Sequence, residues 1–121
     1  MAAEEKKQAR SAKLMRLTMR YFEKKGYKVK RDVRLDGYSG TSRKFDLIVR
    51  KGRVTQAVWV REWRRTIGVN VIINLDKASS DAGLSNPMII GGKFSDHAKS
   101  YANRRGMTLL TKRRLSLSLR T

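Results

Sequence analysis

Apolar residues recur every three or four positions near the start of the chain, with Met15, Met19 and Phe22 marking the spacing. Such a stripe is typical of an amphipathic helix. A glycine directly after it favours the left-handed conformation in which many helices end. The pattern therefore predicts a helix over residues 3–25 that ends at Gly26.

Three strands are predicted to follow this helix. Residues 27–35 alternate imperfectly between apolar and charged side chains, and residues 36–42 are rich in the Gly and Ser typical of a turn or short loop. Residues 45–49 and 54–60 are mostly apolar, with a tight turn at residues 51–52 between them. The last two strands are therefore expected to pair as a β-hairpin.

Residues 66–80 combine two signals. Their many β-branched residues favour a strand, but Ile67, Val71, Leu75 and Ala78 fall on one face of a helix. The length of the segment and this spacing together predict a helix.

The remainder of the chain alternates short apolar runs with amphipathic segments. Ser95 is suited to cap a helix and Gly106 to end one. The predicted elements are a strand at residues 88–90, a helix at 96–105, a strand at 107–110 and a short helix at 112–119.

The resulting order is α-β-β-β-α-β-α-β-α, without a linker, repeat or low-complexity stretch. A helix, a three-stranded meander and then alternating helices and strands predict a mixed sheet with helices on both faces. The expected fold class is α/β, as a single domain covering residues 1–121.

The net charge of the chain is the strongest indication of its function. The 121 residues include 29 Lys and Arg against 10 Asp and Glu, a net charge of +19. The excess is +7 over residues 1–30, +6 over residues 31–65 and +6 over residues 66–121. Soluble domains usually have a net charge of about 2 to 8. An excess spread over the whole chain predicts extensive contact with a polyanion, and nucleic acid is the expected partner.

The composition also excludes several classes of protein. The sequence has no Cys and one His, so disulfides, thiolate nucleophiles and cysteine-ligated zinc are absent, and His-based sites are hard to assemble. Residues 1–13 include six charged residues and no apolar core, which argues against a signal peptide, and no apolar run reaches membrane-spanning length. We expect an intracellular, cytoplasmic protein without cofactor or membrane partner.

Short motifs along nearly the whole chain resemble the restriction-endonuclease-like, or PD-(D/E)xK, nuclease superfamily. The similarity is strongest to the branch of archaeal Holliday-junction resolvases and of the catalytic domains of methyl-directed restriction enzymes. The motifs are Gly-Tyr-Lys-Val at 26–29, Gly37 and Gly40, Phe-Asp-Leu-Ile-Val at 45–49, Val-Trp-Val-Arg at 58–61, Trp-Arg-Arg-Thr-Ile-Gly at 63–68, Phe-Ser at 94–95, Ala98, Tyr-Ala at 101–102 and Gly-Met-Thr-Leu at 106–109.

This resemblance implies a metal site from which the sequence departs. In the family, an Asp on one strand and a Glu or Gln two residues before a Lys on the next strand hold a divalent metal ion and its attacking water. Asp46 matches the Asp, but the second motif aligns with Trp59, Val60 and Arg61. Tryptophan cannot ligate a metal ion, and arginine stays protonated. The resemblance therefore implies a vestigial site at Asp46, Trp59 and Arg61.

Other carboxylates offer ways to restore the site. Glu62 would need a register slip or a bulge to reach Asp46, because neighbouring residues of a strand point to opposite faces. Glu4 and Glu5 are candidates for a helix-borne carboxylate, although acidic residues also favour a helix start on their own. Otherwise Asp46 is expected to form an ion pair with Arg61 or Arg43, because its burial without a partner is costly.

Several single residues have a structural and a functional interpretation. Trp59 fits a core or sheet-face position, while Trp63 fits either a partly exposed position or a stacking platform for an unpaired base. His97 is expected on the surface. The loop at residues 37–42 either serves only as a turn or lets its amides approach a phosphate. Residues 91–93, Gly-Gly-Lys, lack the rest of a P-loop and fit a strand end.

Five basic clusters, none of them balanced by local acids, are the candidate nucleic-acid contacts, since Lys and Arg bind phosphate and arginine also stacks on bases. Together with Trp63 they comprise Lys6, Lys7, Arg10, Arg43, Lys44, Arg61, Arg64, Arg65, Arg104, Arg105, Lys112, Arg113 and Arg114.

Two classes of function are compatible with these residues. The first is a non-catalytic protein that binds structured RNA, specifically rRNA within a ribosomal subunit, with a DNA-coating or junction-binding protein as the nearest competitor. The second is a metal-dependent DNA endonuclease, such as a junction resolvase, that uses Asp46 and a repositioned Glu62. The sequence leaves the oligomeric state open.

Overall fold

The computed structural model describes the backbone of residues 2–120 and the side chains of residues 13–120. Its elements follow the predicted order. They are α1 (Ala2–Lys24), β1 (Lys28–Asp36), β2 (Ser42–Lys51), β3 (Val54–Arg61), α2 (Val69–Asp81), β4 (Met88–Gly91), α3 (Asp96–Arg105), β5 (Thr108–Thr111) and α4 (Lys112–Leu119). None of the helices described has the length and apolar character needed to cross a membrane.

The five strands form one mixed sheet in the order β1-β2-β3-β4-β5. Strands β1, β2 and β3 are antiparallel, and β3, β4 and β5 are parallel. The two crossover connections, β3–α2–β4 and β4–α3–β5, run in the same direction across the sheet, so α2 and α3 pack together on one face. The helices α1 and α4 pack together on the other face. The prediction of a single α/β domain with helices on both faces is confirmed.

Each face of the sheet has its own hydrophobic core. Beneath α2 and α3 lie Ile48, Ala57 and Ile89, and beneath α1 and α4 lie Val58 and Ile90. Because side chains alternate along a strand, neighbouring residues of β3 and β4 supply opposite cores. This two-sided burial explains why the central strands read as nearly continuous apolar runs.

The alternation of side chains between the two faces of the sheet reverses once along β2, beside Asp46. On β2, Leu47 lies in the core beneath α1, but Phe45, two residues earlier, lies in the core beneath α2. The pairing of β1 with β2 omits Asp32 and Asp46, and Asp32 has a left-handed φ of 51°. The imperfect alternation in the sequence of β1 therefore corresponds to a real irregularity next to the candidate site.

All predicted boundaries lie within three residues of the observed ones. The largest differences are at the start of β2, which begins at Ser42 rather than at residue 45, and at the start of α2, which begins at Val69 rather than at residue 66. The Ile67 amide donates to the Lys93 carbonyl oxygen, and the Ser95 amide donates to the Ile67 carbonyl oxygen. These bonds form a short parallel bridge between Ile67 and Phe94. The first residues of the predicted helix are therefore held in extended conformation by tertiary contacts.

Candidate nucleic-acid interface

The three residues of the expected vestigial site come together in a cleft of about 570 Å³ between the sheet and α2. β2 supplies Asp46, and the end of β3 supplies Trp59 and Arg61, whose side chains point toward α2. The full lining is Ser42, Arg43, Lys44, Asp46, Trp59, Arg61, Asn74, Lys77 and Ala78. Asn74 and Lys77 were not predicted, because only the packing of α2 shows which of its residues face the cleft.

Asp46 is held by two donors at one oxygen. Its Oδ2 accepts a hydrogen bond of 2.7 Å from the Val60 amide and another of 2.7 Å from Nη1 of Arg61. The two charged side chains are about one quarter exposed, so this ion pair is only partly screened by water. The prediction that Asp46 pairs with Arg61 is confirmed, and the alternative pairing with Arg43 is wrong because Arg43 binds Asp81.

Trp59 fixes the other side of Arg61. The guanidinium carbon lies 4.6 Å from the centroid of the Trp59 ring, within cation–π range. The indole Nε1 donates a 3.1 Å hydrogen bond to the Lys44 carbonyl oxygen, so Trp59 bridges the ends of β2 and β3. Arg61 is thus located between an aromatic ring and a carboxylate.

Glu62 faces away from this cleft. Its Oε1 accepts a 2.7 Å hydrogen bond from Nζ of Lys112, at the start of α4, and its Oε2 is buried without a hydrogen-bond partner. The repositioning of Glu62 toward Asp46 is therefore not observed. The side chains of Glu4 and Glu5 lie outside the described residues. Among the side chains that are described, His, Asp and Glu form no group of three or more that could hold a metal ion.

The loop between β1 and β2 is closed by Asp81, at the end of α2. The Asp81 carboxylate accepts hydrogen bonds from the Ser39 amide and hydroxyl and from Nε of Arg43, at 2.7 to 2.9 Å. Hydrogen bonding to Arg43, followed by that to Ser39, lowers the pKa of Asp81 to about 2. The Tyr38 amide donates to the Asp81 carbonyl oxygen.

These contacts favour the turn over the phosphate-binding alternative for this loop. Besides Tyr38 and Ser39, the amides of Gly37, Gly40 and Thr41 each donate to an acceptor within the loop. No amide from residue 37 to residue 41 is therefore left to bind a phosphate. The segment acts as a turn anchored to a helix, and Lys44 and the partly exposed Arg43 are the cations beside it.

Acidic residues hold four of the cations predicted to bind nucleic acid. Besides the pairs of Arg43 and Arg61, Lys112 binds Glu62 and Arg105 binds Asp76. Hydrogen bonding to Asp76 raises the pKa of both Arg105 and Tyr101, whose hydroxyl donates to the same oxygen. Asp76 and Asp81 were missed because these acids lie far from their partners in the sequence.

The other predicted cations fall into two groups. Lys44, Arg64, Arg65, Arg104, Arg113 and Arg114 are exposed and form no ion pair with the side chains described. Lys6, Lys7 and Arg10 belong to α1, but their side chains lie outside the described residues. The exposed group supplies the strongest candidates for phosphate contact.

Trp63 lines a second cleft, near the starts of α2 and α3. Its ring packs partly against the core beneath α2, and the guanidinium carbon of Arg65 lies 4.5 Å from its centroid. Exposed His97 is at the edge of the same cleft. Gly91 is buried at the end of β4, where a Cβ would overlap the Ile67 side chain. The strand therefore ends at a tightly packed Gly91 and is followed by two exposed residues, in agreement with the predicted strand end.

A mixed five-stranded sheet between two pairs of helices, with an aspartate on its second strand facing the end of the third, is consistent with the restriction-endonuclease-like fold. The sequence matches the family described as Mrr_cat, restriction endonuclease, over residues 7–119, and the chain belongs to this family. The predicted family membership is confirmed.

Comparison with solved structures gives the same fold. The chain is similar to a protein of unknown function, AF1548, with 19% sequence identity and a TM-score of 0.72 over 81% of this chain. The match spans 57% of the length of that protein. No curated protein matches the sequence.

Proposed function

We propose that this chain binds nucleic acid without cleaving it, and that its partner is structured RNA, specifically rRNA in a cytoplasmic ribosomal subunit. The observation that carries the non-catalytic part is the ion pair between Asp46 and Arg61. In the family that the sequence resembles, the aspartate that matches Asp46 is a metal ligand. In this chain, a guanidinium nitrogen of Arg61 lies 2.7 Å from Oδ2 of Asp46.

The chemistry of the cleft argues against a divalent metal ion. A cation bound at Asp46 would lie next to Arg61, which carries a positive charge of its own and competes for the same oxygen. Trp59, at the position where the family has a second ligand, offers no lone pair, and its Nε1 is already a donor to Lys44. These residues therefore do not fit the metal site of the family, and no step of a reaction is assigned to them.

The distribution of charge supports RNA as the partner. Exposed cations lie on α1 and α4, on α3, on the edge strand β1 and at the turn between β2 and β3. A ligand bound to one side would leave the other cations repelling one another in water. A protein surrounded by RNA helices has phosphates near several of its faces at once, which is why we favour RNA over a DNA duplex bound on one side.

Incubation with Mg²⁺ or Mn²⁺ tests the loss of catalysis. The purified chain should leave linear, supercoiled and four-way-junction DNA and structured RNA intact over a range of salt. Metal-dependent cleavage that persists through purification and disappears in Asp46→Ala would overturn this part of the proposal. It would support the endonuclease alternative.

Fractionation of a native lysate on a sucrose gradient tests the partner. The protein should sediment with one ribosomal subunit at moderate salt and leave that peak after RNase treatment or at high salt. Recovery mainly with chromosomal DNA would contradict the RNA assignment and support the DNA-binding alternative. Recovery at the top of the gradient at physiological salt would contradict the ribosomal assignment.

A further inference from the structure

The helices α1 and α4 present a strongly basic surface on the side of the sheet opposite the Asp46 cleft. Lys13, Arg16 and Arg20 of α1 are exposed and spaced three and four residues apart, so they form one stripe. Arg113 and Arg114 at the start of α4 are exposed as well. We call these five residues the α1/α4 face.

The orientation of the two helices directs these cations away from the sheet. Leu14 and Phe22 of α1 and Leu115 of α4 are buried in the same core, and the two helices contact each other. Side chains on the outer sides of the helices therefore point into solvent. The α1/α4 face therefore lies on the outer sides of two helices that contact each other.

The α1/α4 face has almost no acids to neutralise it. None of its five residues forms an ion pair with the side chains described. Between residues 13 and 24 the sequence has a single acid, Glu23, and after Asp96 it has none. The cleft, in contrast, contains the ion pair of Asp46 with Arg61.

A ligand in the cleft cannot neutralise the α1/α4 face. The sheet and the layer formed by α1 and α4 separate the two surfaces, and this helix layer alone is about 10 Å thick. Interactions between exposed charges are largely screened beyond about 8 Å at physiological ionic strength. A polyanion bound beside Lys44 and Lys77, the exposed cations that line the cleft, therefore leaves the α1/α4 face free to bind another.

We propose that the α1/α4 face is a second RNA-binding surface, so that one copy of the chain joins two RNA helices on opposite sides of its sheet. This inference rests on the proposed function, because it takes RNA as the ligand of the cleft side. It adds a role that the cleft alone does not supply, which is to hold two RNA segments at a fixed separation.

A two-duplex capture assay tests the inference with the full chain. One short RNA duplex is immobilised, a second carries a fluorophore, and the captured fluorescence reports bridging. Binding to a single duplex is measured separately, and light scattering establishes whether the protein is a monomer. The wild-type chain should bridge as a monomer, and the amount bridged should fall when either duplex is in large excess.

Variants that remove charge then test which face of the protein is needed for bridging. Arg16→Gln with Arg20→Gln should reduce bridging at least about tenfold and leave single-duplex binding on the cleft side, because each lost phosphate contact weakens affinity several-fold at moderate salt. A second variant, Arg113→Gln with Arg114→Gln, should act in the same way. Circular dichroism verifies that both variants are folded.

A matched control separates position from total charge. Lys28→Gln with Lys30→Gln removes two exposed cations from the edge strand β1 and should leave bridging within about twofold of wild type, since neither helix face changes. An equal loss in this control, full bridging by both α1/α4 variants, or single-duplex binding without bridging by the wild type would each overturn the inference. Failure to bind even one duplex would instead overturn the proposed RNA-binding function.

Discussion

Asp46 and Glu62 bind basic residues on opposite faces of the sheet. Asp46 accepts from Arg61 in the cleft beneath α2, and Glu62 accepts from Lys112 at the start of α4. The two carboxylates closest to the positions expected of a nuclease metal site are thus each neutralised by a different cation. They are also directed apart by the alternation of side chains at the end of β3.

Replacing two residues should create metal binding in the cleft. In Trp59→Glu with Arg61→Lys, a second carboxylate would face Asp46, and the guanidinium that now binds Oδ2 would be gone. Calorimetric titration with Mn²⁺ should show binding at least about tenfold tighter than in the wild type, or about 1.4 kcal/mol. Adding Asp46→Asn should remove the gain. Equal, weak Mn²⁺ binding in the folded variant and the wild type would mean that the cleft does not retain the geometry of the family.

Gly37→Ala should destabilise the loop between β1 and β2. A Cβ at position 37 would overlap the Asp81 carboxylate, and moving that carboxylate breaks hydrogen bonds to Ser39 and Arg43. We expect a loss of about 1–3 kcal/mol in urea unfolding.

A double-mutant cycle verifies the cause of this loss. In the Asp81→Ala background, Gly37→Ala should be much less destabilising, because the overlapping carboxylate is absent. Gly40→Ala is the comparison variant, since its Cβ would meet open space and its φ of 88° alone causes strain of about 1–2 kcal/mol. Additive effects of Gly37→Ala and Asp81→Ala would contradict the assignment.

The Asp81 contact should make stability depend on acid pH. Its folded-state pKa of about 2 lies below the ordinary value of 3.8, so the ionised form stabilises the fold. This contribution is complete above pH of about 4 to 5 and is lost as the pH falls toward 2. The stability difference between wild type and Asp81→Asn should shrink over that interval in urea titrations. In the Arg43→Gln background the pH dependence should weaken, and an unchanged dependence would exclude Arg43 as its main cause.

Removal of exposed arginines should flatten the salt dependence of binding. On duplex DNA each phosphate contact contributes about 0.9 to the slope of log affinity against log salt, so Arg64→Ala with Arg65→Ala should lower its magnitude by up to about 1.8. The control is Arg43→Ala, because this cation is already held by Asp81. A slope that is unchanged in the double variant, or that falls as much in the control, would remove residues 64 and 65 from the interface.

Local patterns were sufficient to predict the helices and strands. Ser95 caps α3 through a hydrogen bond from the Ala98 amide, and Gly106 ends it in a left-handed conformation, as the residue types indicated. Both features depend on residues within one or two helical turns. The predicted and observed limits of α3 and α4 are therefore the same.

The ion pairs and the irregularity of the sheet depend on tertiary interactions. The pair of Asp46 with Arg61 was predictable because the two motifs lie on adjacent strands. The ion pair of Asp76 with Arg105 depends on how α2 packs against α3. The ion pair of Asp81 with Arg43 depends on how α2 packs beside the β1–β2 loop, and these two residues are 38 positions apart in the sequence. No local pattern carries this information, and the reversal of side-chain direction beside Asp32 and Asp46 likewise has no local signal beyond imperfect alternation.

The attachment of the β1–β2 loop to α2 has a consequence for recognition. Because the loop amides and the Asp81 carboxylate satisfy one another, the wall of the cleft beside Arg43 and Lys44 is already ordered before a partner arrives. Binding there does not have to freeze a mobile segment, so little conformational entropy is lost on association. A rigid wall also selects ligands by shape, so a nucleic-acid groove that matches it in advance should be preferred over a flexible single strand.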